Sequence, residues 1–278
     1  MTNVLIPTDF SDNSWNATSY ALQFFSVEPV NFYLLNVNIA KRQEKSGDTR
    51  ANAIIFDTGR TKGLTDKLEE TRVRIEKNFP DTNHRFYVLQ EHTFFIDGIR
   101  RCVQKYRIDF IVMGTKGATG LKEATIGTRT GEVITRIKCP TLVIPENAEY
   151  EPPKTVVFPT DFNNFYKNKI LMTLAEIIAM HDSKIRVLHI SKSKQKLTTL
   201  QKENKSFLED FLEDHDHSFH TMSDHHLEDA LDDFVQTHNI EMIAMVAKNI
   251  NFFERLLFKP SVAKISYHTH IPFLVLHE

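Results

Sequence analysis

The feature that most constrains this chain is that it repeats itself. VLIPTDFSDNS, from Val4, returns as VVFPTDFNNFY, from Val156, with Pro-Thr-Asp-Phe intact in both. Further along, IDFIVMGTKG from Ile108 matches IEMIAMVAKN from Ile240, and CPTLVIPE from Cys139 matches IPFLVLHE from Ile271. The last two matches share an offset of 132 residues and the first has an offset of 152, so the second copy is about twenty residues shorter inside. A repeat of this length far exceeds the solenoid unit of about 20 to 50 residues and predicts a duplicated domain. The 278 residues divide into two units of roughly 140, an ordinary domain size. The polar segment ENAEYEPPK, 146–154, with its paired prolines, reads as the linker and sets units 1–147 and 148–278.

Each copy alternates short apolar runs with longer helical patterns. In the first, VLIPT, NFYLLNV, HRFYVLQ, DFIVMG and PTLVIP read as strands; most are continuously apolar, as strands buried on both faces are. Leu64, Leu68, Ile75 and Phe79 fall on one helical stripe, as do Ile96, Ile99, Val103 and Tyr106. The second copy offers VVFPT, KIRVLHI, SFHTM, EMIAMV and PFLVLHE as strands, with Leu200, Phe207, Phe211 and Leu227, Leu231, Phe234 on helices. The alternation predicts an α/β fold built as two tandem open sheets, each of five parallel strands with helices on both faces. The shortened region of the second copy corresponds to Lys41 to Gly63, a long connection in the first that either orders over a ligand or stays mobile.

Glycine is scarce, nine residues in all, yet five of them fall between Met113 and Gly131. This stretch joins the apolar run IDFIVM to the helical pattern around VITRI. A glycine-rich loop at the carboxyl end of a parallel strand can aim backbone N–H groups inward, and the next helix adds the N–H groups of its first turn, which together suit phosphate. The spacing is Gly114, two residues, Gly117, nine residues, Gly127, then Thr128, with Lys116, Lys122 and Arg129 as nearby cations. No Gly-Lys-Ser or Gly-Lys-Thr occurs, which excludes a P-loop, and the loop follows the fourth strand, where a dinucleotide fingerprint would follow the first. The second recurring element, Pro7 to Ser11, ends the first strand. Asp9 there is open to two readings, turn and cap chemistry or a hydrogen-bond acceptor for a nucleoside.

On these residues the chain resembles a tandem universal stress protein, with G-x2-G-x9-G-[S/T] in the fourth loop and P-x-D after the first strand. The resemblance implies strand order 3-2-1-4-5 in each unit, which brings both motifs to one crevice, and ATP, ADP or AMP as the ligand, with accompanying magnesium left open. By match of motif, Gly114, Gly117, Gly127 and Thr128 would hold the phosphates, with Met113, Lys116, Arg129 and Thr130 beside them. Pro7, Thr8 and Asp9 would lie by the adenosine, and Val37 would offer backbone groups to the adenine. The family resemblance also implies joining of such domains through their final strands, here internally as a pseudo-dimer, with homodimerisation and an unidentified protein partner left open.

The second copy departs from the motif. Gly114, Gly117, Gly127 and Thr128 become Val246, Asn249, Lys259 and Pro260, so phosphate binding is expected in the first unit alone. Eleven of the thirteen histidines lie in the second half, including His215, His217 and the pair His225 and His226. They read as exposed residues at loop ends, and no metal site is expected. The first 150 residues hold 20 basic and 18 acidic residues, the rest 14 and 18, and the net charge of −2 gives no reason to expect nucleic acid. No apolar run approaches the roughly 20 residues of a membrane span. The N-terminus lacks a leader pattern and the two cysteines lack any CxxC spacing, which points to the cytoplasm and to Cys102 and Cys139 as packing residues. No catalytic constellation is legible. The favoured reading is therefore a nucleotide-binding stress-response regulator with weak or no turnover, against a slow ATP hydrolase or an interaction module that no longer binds nucleotide.

Overall fold

The structure is a computed structural model and describes residues 1–38, 58–80, 83–115, 128–163, 166, 168–191, 196–223, 227–247 and 270–277. The first half runs β1 (Thr2–Pro7), α1 (Asp12–Phe24), β2 (Val30–Val37), α2 (Thr58–Asn78), β3 (Arg85–Glu91), α3 (Phe95–Lys105), β4 (Phe110–Gly114), α4 (Thr128–Arg136) and β5 (Thr141–Ile144). The second runs β6 (Thr155–Thr160), α5 (Asn168–His181), β7 (Lys184–Ser191), α6 (Thr199–Phe211), β8 (His217–Ser223), α7 (Leu227–Thr237), β9 (Met242–Val246) and β10 (Phe273–Leu276). The sequence of apolar runs and stripes thus reads directly as strands and helices. Of the long connection between β2 and α2, residues 41–57 lie outside the described residues.

All ten strands form one sheet in the order β3-β2-β1-β4-β5-β10-β9-β6-β7-β8. The first five follow 3-2-1-4-5, and the last five follow the same order in mirror sequence. Every neighbouring pair is parallel except β5 and β10, which run antiparallel with Leu142 opposite Leu274. PTLVIP and PFLVLHE, the final strands of the two halves, therefore lie at the centre, where each covers the other's backbone groups. The ends of the sheet are β3 and β8.

Strict alternation along the strands builds two layers of core. Val4, Ile6, Phe32, Leu34, Phe110, Val112, Phe158 and Val187 face α1, α2, α5 and α6 in one cluster that runs the length of the sheet. On the other face Leu5, Leu35, Ile111 and Met113 pack with α3 and α4 residues, and Val157, Leu188, Ile243 and Val275 pack with α7. Fully buried side chains such as Phe158 and Phe273 contribute about 2 to 3 kcal/mol each relative to solvent. The halves also share a strand clamp: Asp109 Oδ2 accepts from Asn3 N at 2.8 Å, and Glu241 Oε2 accepts from Thr155 N at 2.6 Å.

Two expectations are corrected. The stripe Leu200, Phe207, Phe211 is only part of the inner face of α6: Phe207 and Phe211 pack half-buried against the core, Leu200 is 56% exposed, and Leu208 and Leu212 are fully buried with Asn204 beside them. The helix is rotated because the Asn204 amide donates to Phe162 O at 2.7 Å, a long-range bond that apolar periodicity does not register. The histidines are not all at exposed loop ends either, since His181, His189 and His277 are buried. Cys102 and Cys139 are both free and buried, and burial pushes their thiols up to about 11 and about 12, so neither is a thiolate near neutral pH.

Candidate functional site

The strand order reverses between β1 and β4, and ligands of open parallel sheets sit outside the carboxyl ends of strands at such a point. Beyond Pro7 the backbone makes one more sheet bond, Thr8 N to Leu35 O at 2.8 Å, and then turns. Thr8 Oγ1 accepts from Phe10 N at 3.1 Å, Asp9 Oδ1 accepts from Ser11 N at 3.1 Å and from the Ser11 hydroxyl at 2.6 Å, and Phe10 adopts φ 65°. Ser11 then caps α1 by accepting from Ser14 N at 3.2 Å. The second half repeats the turn: Phe162 N donates to Thr160 Oγ1 at 3.0 Å, Asn163 N to Asp161 Oδ1 at 2.9 Å, and Phe162 has φ 56°. Pro-Thr-Asp-Phe thus recurs with a structural cause, since a left-handed residue without glycine needs its neighbours' side chains to hold the bend. Thr8 is buried; its hydroxyl also meets Ser14 Oγ at 3.1 Å, and its carbonyl accepts from the Asn36 amide at 2.8 Å.

Gly114 ends β4 between two helix starts. Its carbonyl accepts from Thr130 Oγ1 at 2.8 Å, which ties the first turn of α4 to the strand end. On its other side lies α1: a Cβ added at Gly114 would sit 2.7 Å from Asn13 Oδ1 and 2.9 Å from Asn13 Cγ. The N-termini of α1 and α4, with their positive dipole ends, therefore converge on the mouth between β1 and β4. Val37 completes the wall. The β1–β2 register ends at Pro7 opposite Leu35, and alternation turns the Val37 N–H and C=O to the same side as those of Leu35, past the end of β1. Its side chain instead packs on α3, 3.1 Å from where a Cβ at Gly98 would be.

Of the residues the sequence marks, Pro7, Thr8, Asp9, Val37, Gly114 and Thr130 come together around this mouth. Thr128 opens α4. Thr130 is 3% exposed and engaged with Gly114, an anchor of the loop, and Met113 is buried beneath the mouth among core residues. Arg129 is exposed, its guanidinium 5.3 Å from the Phe95 ring. Lys116, Gly117, Lys122 and Gly127 lie outside the described residues. Sequence reading missed Asn13 and Asn36, polar residues within helix and strand patterns whose neighbours Gly114 and Thr8 are distant in sequence, and Ser14, whose hydroxyl meets Thr8 and Ser11 across the turn.

The matching positions of the second half carry larger side chains. At the first-copy offset Ser14 becomes Tyr166, and the Tyr166 hydroxyl bonds Thr160 Oγ1, as Ser14 meets Thr8. Its ring stands edge-on to Phe158 at 5.3 Å, and burial pushes the phenol up to about 12. Phe162, 1% exposed, stacks on His189 at 4.9 Å, and His189 Nδ1 donates to Thr160 O at 3.1 Å. From α6, Gln201 donates to Asp161 O at 2.9 Å and Asn204 to Phe162 O at 2.7 Å, so the helix is laced to the turn. Val246 is buried where Gly114 has no side chain. In the first half Phe10 stays half-buried, with the Lys67 ammonium 5.7 Å over its ring.

His225, His226, Lys259 and Pro260 lie outside the described residues. Among those described, no three His, Cys, Asp or Glu side chains are placed to share a metal ion, and no helix is long and apolar enough to cross a membrane.

The sequence profile of the Universal stress protein family matches residues 1–145. Universal stress protein MJ0531 of Methanocaldococcus jannaschii is 26% identical over 149 residues, 51% of this chain and 80% of that protein. Universal stress protein MJ0577 of the same organism is 25% identical over 151 residues, 51% of this chain and 93% of that protein. The crystal structure of a universal stress protein from Archaeoglobus fulgidus matches 99% of this chain and 96% of its own with a TM-score of 0.67, a likeness of fold at 16% identity. With more than half of its length matched by the family profile, the chain belongs to the universal stress protein family.

Proposed function

We propose that the first unit, residues 1–147, binds one adenine nucleotide at the mouth between β1 and β4, and that the second, 148–278, binds none. The observation that carries this reading is a contrast at matching positions of the fold: two helix N-termini converge on a bare Gly114 in the first half, whereas in the second the buried Val246 stands at that position and Tyr166 and His189 replace Ser14 and Asn36. The residues fit such a ligand. The N–H groups at the α4 start would take phosphate oxygens, together with Gly117, Gly127 and Thr128, and the crevice-facing backbone of Val37 would take the adenine edge. ATP, ADP or AMP share this chemistry, and the triphosphate would bring magnesium with it.

The role is regulatory, with little or no turnover, in a cytoplasmic protein of the stress response. Asp9, the acid that ends β1, has Oδ1 committed to both the N–H and the hydroxyl of Ser11, the arrangement of a turn-holder and not of a general base. The β5–β10 pairing supports an internal pseudo-dimer, in which each half covers the other's last strand. The test is a melting scan with ATP, ADP, AMP and GTP, joined to mass spectrometry of any copurified small molecule. An adenine-specific rise in Tm that Gly127→Lys abolishes supports the reading; no shift with any adenine nucleotide and no copurified nucleotide overturns it.

A further inference from the structure

At the outer end of the first half, β3 finishes the sheet. Asn38 N donates to Glu91 O at 2.9 Å, so the odd-numbered residues of β3 turn their peptide groups toward β2, and Phe86 and Val88 turn theirs outward. Beside this edge lies a row of three tyrosines. Tyr87, 40% exposed, stacks on Tyr33 at 4.9 Å and 17°, and Tyr33 meets Tyr106 at 5.0 Å and 33°. Three exposed cations surround the row: Arg85 two residues before Tyr87, and Lys105 and Arg107 on either side of Tyr106. The Lys105 ammonium lies 5.0 Å over the Tyr106 ring. Arg100 and Arg101 on α3 are paired with Asp97 and Glu91, but among the described residues none of these three cations has a carboxylate within ion-pair distance.

The fold does not demand such a rim. Matching the registers of β1–β2–β3 with β6–β7–β8 puts Arg186 where Tyr33 stands, Ser218 where Tyr87 stands and Asp216 where Arg85 stands. The offset of 132 puts His238 where Tyr106 stands. There the charges are internally settled, with Lys184 3.3 Å from Asp216 and Arg186 donating to Ser218 Oγ at 2.9 Å.

We propose that the β3 edge is a docking strand for an extended acidic segment of a partner protein, added to the sheet beyond β3. The outward N–H and C=O groups of Phe86 and Val88 pair with the segment's backbone, Tyr87 supports an apolar side chain, and Arg85, Lys105 and Arg107 receive its carboxylates. The same cations set two β3 edges against each other, so a second copy of this edge is not the occupant. Outward peptide groups favour a polypeptide over a nucleic acid, which offers no strand to pair. This rim lies by the start of β3 and the end of α3, opposite the nucleotide mouth at the strands' carboxyl ends.

The test is fluorescence anisotropy with a labelled heptapeptide, Glu-Val-Glu-Tyr-Glu-Val-Glu, against its Lys-for-Glu counterpart and octathymidine, with amide chemical-shift mapping of the full chain. The expected result is binding of the acidic peptide alone, with shifts centred on Phe86 and Val88. Arg85→Glu with Lys105→Glu should weaken binding about tenfold, since reversal turns attraction into repulsion. Val88→Pro removes an outward donor while sparing the bonds to β2, and should weaken binding more than Val88→Ala, which trims the same core-packed side chain but keeps the donor. No binding at millimolar acidic peptide, equal binding of the basic peptide, insensitivity to charge reversal, or octathymidine bound at the same residues would each overturn the proposal.

Discussion

Replacing Gly114 with alanine tests why the β4 end is bare. The added Cβ would meet three atoms of one side chain, Asn13 Oδ1 at 2.7 Å, Cγ at 2.9 Å and Nδ2 at 3.0 Å, all closer than normal contact. Asn13 is 8% exposed, so its amide has little room to swing aside, although it is the end of a side chain and not backbone. Overpacking of this kind costs about 1 to 2 kcal/mol. Shortening the neighbour should relieve it: in an Asn13→Ala background, Gly114→Ala should cost at least about 1 kcal/mol less than alone. Urea unfolding followed by Trp15 reads this well, because it is the chain's one tryptophan, it lies on α1 two residues from Asn13, and the Arg74 guanidinium sits 3.7 Å over its ring. Strict additivity of the two substitutions, within about 0.3 to 0.5 kcal/mol, would refute the contact argument. Nucleotide binding by the stable double variant then separates packing from ligand approach as the reason for glycine.

Acid should weaken the fold through His181 and His277. Burial, aided by the Lys154 charge at His181 and by Lys169 and Lys138 at His277, holds both at about 4 against the ordinary 6.5, so the unfolded chain takes up protons first as pH falls. Their contribution is complete above pH 6.5 and shrinks down to pH 4, by about 3 kcal/mol per histidine at most, and His277→Leu should flatten the fall in Tm over that range. Thr130→Val strips the Gly114 carbonyl of its hydroxyl donor, and should cost about 1 to 2 kcal/mol by urea unfolding and weaken nucleotide binding. If β5 and β10 satisfy each other and no second surface pairs, light scattering should give the one-chain mass of 32.2 kDa at micromolar concentration, and a mass twice as large would show that chains also join, by another surface or by exchange of these strands.

Inner strands such as β4, β5, β9 and β10 are legible because they are buried and read as unbroken apolar runs, whereas the edge strand β3 is exposed at Arg85 and Tyr87, and the repeat ties the halves together. The glycine spacing marked the loop, and the strand order brought it to the Pro-Thr-Asp-Phe turn. Polar side chains with remote partners were not legible. Asn204 reads as a helix-surface residue until Phe162 O is found beneath it, and Tyr166 as a loop tyrosine until Thr160 is found against it. The family resemblance places Thr130 beside the phosphates, and it is the structure that adds the bond from its hydroxyl to the Gly114 carbonyl. The buried histidines fall in the same class, since periodicity records hydrophobicity and not which imidazole is enclosed. Asp9 and Asp161 each accept the N–H two residues on, so turn geometry is one cause of the recurrence, carried by both halves alike.

Whether the first half alone holds nucleotide is decided by the stoichiometry of ATP binding by isothermal titration calorimetry, on the wild-type chain and on Gly127→Lys. A single site per chain that disappears in the variant is the predicted result. Two sites per chain, or one that survives Gly127→Lys, would contradict a nucleotide held in the first half alone.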